Sequence, residues 1–114
     1  KFIATVKKSV EDNMDNPSFN VDVLCNLLNM SRTSFYNKIK ALTDQAPADY
    51  IRLIRLKHAA QLLKGQKHTI TEISELTGFS DAKYFREVFK KHFNMSPSQY
   101  AKRGKEGKDD EEIK

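Results

Sequence analysis

Apolar positions along this chain recur at spacings of three and four, the period of a helix with one buried face. Ile3, Val6, Val10 and Met14 predict an amphipathic helix from Phe2 to Asp15, ended before Asn16-Pro17. Asn20 is placed to cap a second helix whose apolar face is Val21, Leu24, Leu27 and Leu28. Asn29-Met30 breaks that pattern. Ser31 then caps a third helix to about Leu42, with Phe35, Ile39 and Leu42 inward. Pro47 suits the first turn of a fourth helix, where its missing N–H costs nothing. That helix continues through Tyr50, Ile54, Leu56, Ala60 and Leu63 to a stop at Lys64-Gly65. Thr69 caps a fifth, which carries Ile70, Ile73 and Leu76 and ends at Gly78. Ser80 or Asp81 caps a sixth, with Tyr84, Phe85, Val88 and Phe89 apolar and Phe93 beyond. Pro97 opens a last short helix to about Lys102. No segment alternates as a strand does, so the expected class is all-α with about seven helices.

The helices contain a duplication. Asn20-Val21-x-x-Leu24-x-x-Leu27 repeats as Thr69-Ile70-x-x-Ile73-x-x-Leu76 at an offset of 49, and Met30-Ser31 repeats as Phe79-Ser80. Phe35, Ile39, Lys40, Pro47 and Tyr50 then match Phe85, Phe89, Lys90, Pro97 and Tyr100 at an offset of 50. One extra residue has therefore entered the second copy near the start of its later helix. Each copy is a short helix, a tight turn and a second helix, the helix-turn-helix plan. The predicted organisation is residues 1–64 for the first helix, the first unit and the connecting helix, 65–103 for the second unit, and 104–114 for a charged, disordered tail.

In that plan the first helix holds the second, which buries one face and offers the other to a major groove about 12 Å wide. In the first unit Ser31 caps the second helix, and its outward positions are Arg32, Thr33, Ser34, Tyr36, Asn37 and Lys40. That set is polar and basic with no acid, able to donate to guanine, adenine and phosphate. In the second unit the outward positions are Asp81, Ala82, Lys83, Arg86, Glu87 and Lys90, with Tyr84 at the edge. Asp81 is explicable as a cap; Glu87 either accepts from cytosine N4 or orients Arg86. The alternative is that this unit docks less closely than the first. A connecting helix of about 18 residues spans about 27 Å, near the ~34 Å recurrence of the major groove on one face of a duplex. DNA bending or partial insertion of one helix would meet the shortfall. One monomer then reads two successive major grooves, and its double-stranded DNA site is asymmetric.

Charge agrees with a polyanionic partner. The chain has 20 Lys+Arg against 15 Asp+Glu, a net +5. The last eleven residues hold three Lys and five acids, which leaves residues 1–103 at +7. One cysteine excludes a disulfide framework and a Cys-based zinc finger. There is no apolar run long enough to span a membrane and no signal-peptide pattern at the start. The chain reads as a cytoplasmic piece of a longer protein, with a domain missing before Lys1.

The second unit carries Ile73-x-x-Leu76-x-Gly78-Phe79-x-x-x-x-Tyr84-Phe85-x-x-x-Phe89-Lys90-x-x-Phe93-x-x-x-Pro97-x-x-Tyr100, and upstream stands Tyr50-Ile51-x-x-x-Arg55-Leu56-x-x-Ala59-x-x-Leu62-Leu63. Over about residues 2–102 the chain resembles the AraC/XylS family of bacterial transcription regulators. The resemblance implies a seven-helix domain with two DNA-reading helices and a separate regulatory domain elsewhere in the parent chain. By position it implies base-reading places at Thr33, Tyr36 and Asn37, and DNA contact from Lys83, Tyr84, Arg86 and Glu87. Met30 and Ile39 depart from the family's usual aromatics, which touches local packing alone. Asn20-Val21-Asp22-Val23-Leu24-Cys25 and Met30-Ser31-Arg32-Thr33-Ser34-Phe35-Tyr36 look most like output domains of hybrid two-component regulators. In those, a periplasmic sensor, kinase and receiver precede this domain on one chain anchored in the inner membrane. Phosphorylation of the receiver would then change the pairing or accessibility of this domain.

Other chemistry is not expected. Cys25 lies one turn from Val21, as a buried structural thiol does. His58, His68 and His92 fall on different elements, with no i, i+4 pair to bind metal. No phosphate loop and no nucleophile–base pair is legible, so neither an enzyme, a cofactor nor a small-molecule site is expected. Arg55 is read as pairing with Asp49 or with the acidic end of the first helix, while Arg52 is open between phosphate contact and an ion pair. The recurrence of Lys40 as Lys90 favours backbone contact for both, and Tyr50 and Tyr100 are expected in the core. The leading expectation is sequence-specific DNA binding for transcription regulation, with RNA polymerase and the parent's receiver domain as further partners. The alternative is a helical protein-interaction module that presents its basic face to an acidic partner.

Overall fold

Most of the helices begin where a side chain accepts from an otherwise unpaired N–H, the first and the fourth being the exceptions. The computed structural model describes residues 1–105, and the expected disordered tail lies outside the described residues from 106 onward. The elements are α1 (Phe2–Asp12), α2 (Val21–Leu27), α3 (Arg32–Thr43), α4 (Pro47–Gly65), α5 (Ile70–Leu76), α6 (Ala82–Phe93) and α7 (Pro97–Lys105), and no strand occurs among the described residues. Asn20 Oδ1 accepts from the Val23 amide at 3.0 Å, and Ser31 Oγ from Ser34 at 3.1 Å. Thr69 and Glu72 form a reciprocal capping box. Asp81, and not Ser80, caps α6 through the Lys83 amide. Ser80 is thus the inserted residue, and Ser31 corresponds to Asp81.

The duplication extends to backbone detail. Helices α3 and α6 are both twelve residues long and close on left-handed residues of nearly equal geometry, Asp44 (φ 61°, ψ 20°) and Asn94 (φ 62°, ψ 23°). In both units the amide two residues past the short helix's cap returns to a carbonyl five residues back: Met30 to Cys25 at 3.0 Å and Phe79 to Ser74 at 2.8 Å.

Three element ends and three faces differ from the sequence expectation. Helix α1 stops at Asp12, where the Asn13 side chain donates back to the Ser9 carbonyl. Gly65 stays inside α4, and Gln66 takes the left-handed turn in its place (φ 56°). Helix α7 passes through Gly104 to Lys105. Leu27 and Leu76, expected inward, are exposed, while Cys25 and Ser74 are buried. At 100° per residue, position 27 lies about 100° off the centre of the stripe formed by Val21, Leu24, Cys25 and Leu28. Leu42 is also exposed. It is in line with Phe35 and Ile39 but on the last turn, past the elements that cover them.

Two apolar clusters form the interior. The first gathers Val6, Val10, Phe19, Leu24, Phe35, Ile39, Ile51 and Ile54, with Tyr50 packed partly against it. The second gathers Leu56, Ala59, Leu63, Ile73, Phe79, Phe85, Phe89 and Tyr100, with rings of Phe89 and Tyr100 edge to face at 5.4 Å. The seam falls between Ile54 and Leu56, so α4 contributes one half to each. At 19 residues α4 is about 28 Å long, and the molecule is elongated, 45 by 26 by 22 Å.

Arg55 occupies the seam and corrects the expectation of an ion pair. Its guanidinium, 6% exposed, donates to four backbone carbonyls: Gly78 at 2.7 Å, Thr77 at 3.4 Å, Phe19 at 3.1 Å and Asn16 at 3.2 Å. Nε is buried without a partner. Burial holds the group below its ordinary pKa, and the converging carbonyl dipoles stand in for a carboxylate. Asp49 pairs instead with Arg52.

Candidate nucleic-acid interface

The outward face of α3 is set by the inward anchoring of Phe35 and Ile39, which are fully buried four residues apart. Arg32, Thr33, Ser34, Tyr36, Asn37 and Lys40 are then all exposed on one helix. Ser31 is exposed, but its hydroxyl is engaged in capping. Arg32 reaches back to Asp22 on α2 at 3.3 Å, an exposed pair that ties the two helices of the unit while leaving the guanidinium open to a second partner. No acid lies on α3 itself. The N-terminal segment is fastened behind this helix: Phe2 meets Phe35 at 6.0 Å between ring centroids, and Lys38 Nζ sits 4.5 Å over the Phe2 ring.

Helix α6 repeats the arrangement. Phe85 and Phe89 are fully buried, and Lys83, Tyr84, Arg86, Glu87 and Lys90 are exposed with Asp81 at the cap. Ala82 is half-buried. The Tyr84 ring leans on Phe79 at 6.2 Å, which fixes its direction while its outer edge is open. The structure therefore leaves every candidate residue at least partly exposed and groups them as two ridges, one on each unit.

Between the ridges lies a cleft of about 580 Å³ that the sequence did not disclose. Lys40 and Asp44 line one wall, Arg52 and Leu53 of α4 its floor, and Tyr84, Lys91 and His92 the other wall. Burial, then the charge of Lys57, holds the His92 imidazole below its ordinary pKa. Cys25 lies inside the first unit, its thiol pushed up by burial and next by Asp22. Among the described residues no group of three His, Cys, Asp or Glu side chains converges as metal ligands, and no helix is long and apolar enough to cross a membrane.

Residues 24–103 match the helix-turn-helix domain family. The chain is 50% identical over 96 residues to histidine kinase P4 of Formosa agariphila, covering 84% of this chain and 7% of that protein. It is 34% identical over 101 residues to the Msm operon regulatory protein of Streptococcus mutans, covering 89% of this chain and 36% of that one. It thus spans only a small part of the curated relatives it matches. Among solved structures it superposes on the C-terminal domain of the two-component response regulator yesN from Fusobacterium nucleatum. The TM-score is 0.78 at 28% identity, over 86% of this chain and 95% of that one.

Proposed function

Since the chain belongs to the AraC-type helix-turn-helix family of DNA-binding transcription regulators, we propose that it reads an asymmetric duplex site with both ridges, as the output domain of a two-component signalling protein. One observation carries this reading. The two second helices have the same length, the same closing geometry and the same pattern of buried aromatic or aliphatic anchors and open polar positions. A duplicated scaffold that carries one polar ridge in each unit, the units joined by a connecting helix about 28 Å long, suits the repeat of the major groove.

In this assignment Thr33, Tyr36 and Asn37 read bases in one groove, and Lys83, Arg86 and Glu87 in the next. Lys40 and Lys90 hold phosphates, Ser31, Asp81 and Ala82 bring the helix starts against the backbone, and Arg32, Ser34 and Tyr84 flank the base edges. The role is one of binding without catalysis. The likeness to a histidine kinase of which this chain matches a small share supports a parent that carries sensor and kinase on one membrane-anchored chain, with this domain on the cytoplasmic side. Its receiver domain and RNA polymerase are the further partners.

Titration of a random duplex library at several salt concentrations tests the reading. Selection of one non-palindromic site of about two helical turns is expected, with affinity falling steeply as salt rises. Asn37→Ala should relax preference at one position, and Lys40→Ala should weaken all sequences alike with a salt slope shallower by about one. A domain that selects no site over bulk DNA would overturn it.

A further inference from the structure

Arg55 is the single buried charged side chain among the described residues, and it stands where the two apolar clusters meet. Apolar packing on α4 resists separation of the units but has little directional preference, so it sets their mutual angle only loosely. Hydrogen bonds from a planar guanidinium are directional. One edge of this fork, Nη2, holds the carbonyls of Asn16 and Phe19, in the loop that leads directly to the Asn20 cap of the first unit. The other, Nη1, holds the carbonyls of Thr77 and Gly78, in the turn that leads to α6. Thr77 closes α5, so its carbonyl is among those a helix leaves unpaired and partly negative. The second unit is shaped to admit the fork, because a β-carbon on Gly78 would fall on the guanidinium itself.

We propose that Arg55 is the positioning residue that fixes the angle between the two ridges, and thereby the number of base pairs the domain accepts between the two halves of its site. The inference rests on the two-groove reading given above. Lys at this place supplies a point charge with no fork and serves one pair of carbonyls at a time, which releases the other unit. Removal of the donors altogether leaves four carbonyls without them.

The test measures affinity for the selected site and for versions with one base pair removed, one added and two added between its halves. Each added pair turns the halves by about 35° and parts them by about 3.4 Å. Wild type should lose about thirtyfold for a single added pair, the scale of one base mismatch. Folded Arg55→Lys, checked by its amide spectrum, should bind the original site about tenfold more weakly yet vary by less than about threefold across the series. Arg55→Met should flatten the profile equally. A uniform loss that keeps the wild-type steepness would mean that Arg55 only stabilises the fold, and would overturn the proposal. Residual dipolar couplings on the free wild-type domain keep the proposal refutable even if neither variant folds. One alignment tensor for both units is expected, and two tensors would overturn it. A wild type that prefers no duplex refutes the two-groove reading, while the tensors still report on whether the two units are held at one angle.

Discussion

Gly78→Ala should be among the most damaging single-methyl changes available in this domain. Gly78 has φ +85°, where an L side chain is strained, and a β-carbon there would overlap the Arg55 guanidinium and come within 2.6 Å of the Met14 carbonyl oxygen. The Arg55 side chain can retreat; the Met14 backbone cannot without shifting the end of the α1–α2 connection. The left-handed conformation costs alanine about 1–2 kcal/mol. Displacement of the guanidinium forfeits charge-assisted hydrogen bonds worth about 1.5–3 kcal/mol. Loss of glycine's freedom in the unfolded chain returns about 0.4–1 kcal/mol. The net is about 2–4 kcal/mol, or a fall in Tm of about 8–16 °C at about 4 °C per kcal/mol for a domain of this size. Circular dichroism melts give the answer, with Gly65→Ala as the internal control. Gly65 lies within α4 with nothing inside 4 Å of its added methyl, so that variant should gain about 0.5–1 kcal/mol. A Gly78→Ala protein within about 1 kcal/mol of its parent would refute the reasoning.

Further expectations concern the caps, the cleft and the thiol. Ser31→Ala and Asp81→Ala should each cost about 1 kcal/mol in urea unfolding through loss of an N-cap, and equal stability of both variants with the parent would contradict the cap geometry. His92 binds its proton less tightly when folded than when unfolded. Its contribution is therefore complete above the ordinary value of 6.5 and is lost as pH falls through the lower folded value. The urea midpoint of the parent should decline across that window more steeply than that of His92→Gln; parallel curves would exclude the effect. Cys25, buried with its thiol pushed up, should resist a thiol reagent in native buffer and react at once in urea. Immediate labelling of the native protein would show that the first unit opens readily.

Much of this fold is legible in the chain because its punctuation is chemical. Asn20, Ser31, Thr69 and Asp81 accept amides at helix starts, and Pro47 and Pro97 sit where an N–H is dispensable. The duplicated spacing also makes the two ridges visible, since Phe35 with Ile39 and Phe85 with Phe89 fix which residues face out. What the pattern hides is depth. Leu27 and Leu76 are at helical spacing from a buried neighbour yet point aside, because steps of three drift by about 60° per step around a helix. Leu42 has the right angle but runs out of cover. Arg55 was hidden for a different reason: its partners are backbone carbonyls 22 to 39 residues away, and a carbonyl leaves no mark in the alphabet of side chains.

Helix α4 gives its first half to one interior and its second half to the other. A chimaera that joins the front of this domain to the back of a cousin at residue 64 would therefore strand Leu56, Ala59, Ala60 and Leu63 against a foreign surface. The workable splice lies upstream, so that a transplanted reading head brings its own stretch of spine. Inheritance should respect the same joint, with the trailing half of α4 changing in step with α5 to α7 and the leading half keeping company with α1 to α3.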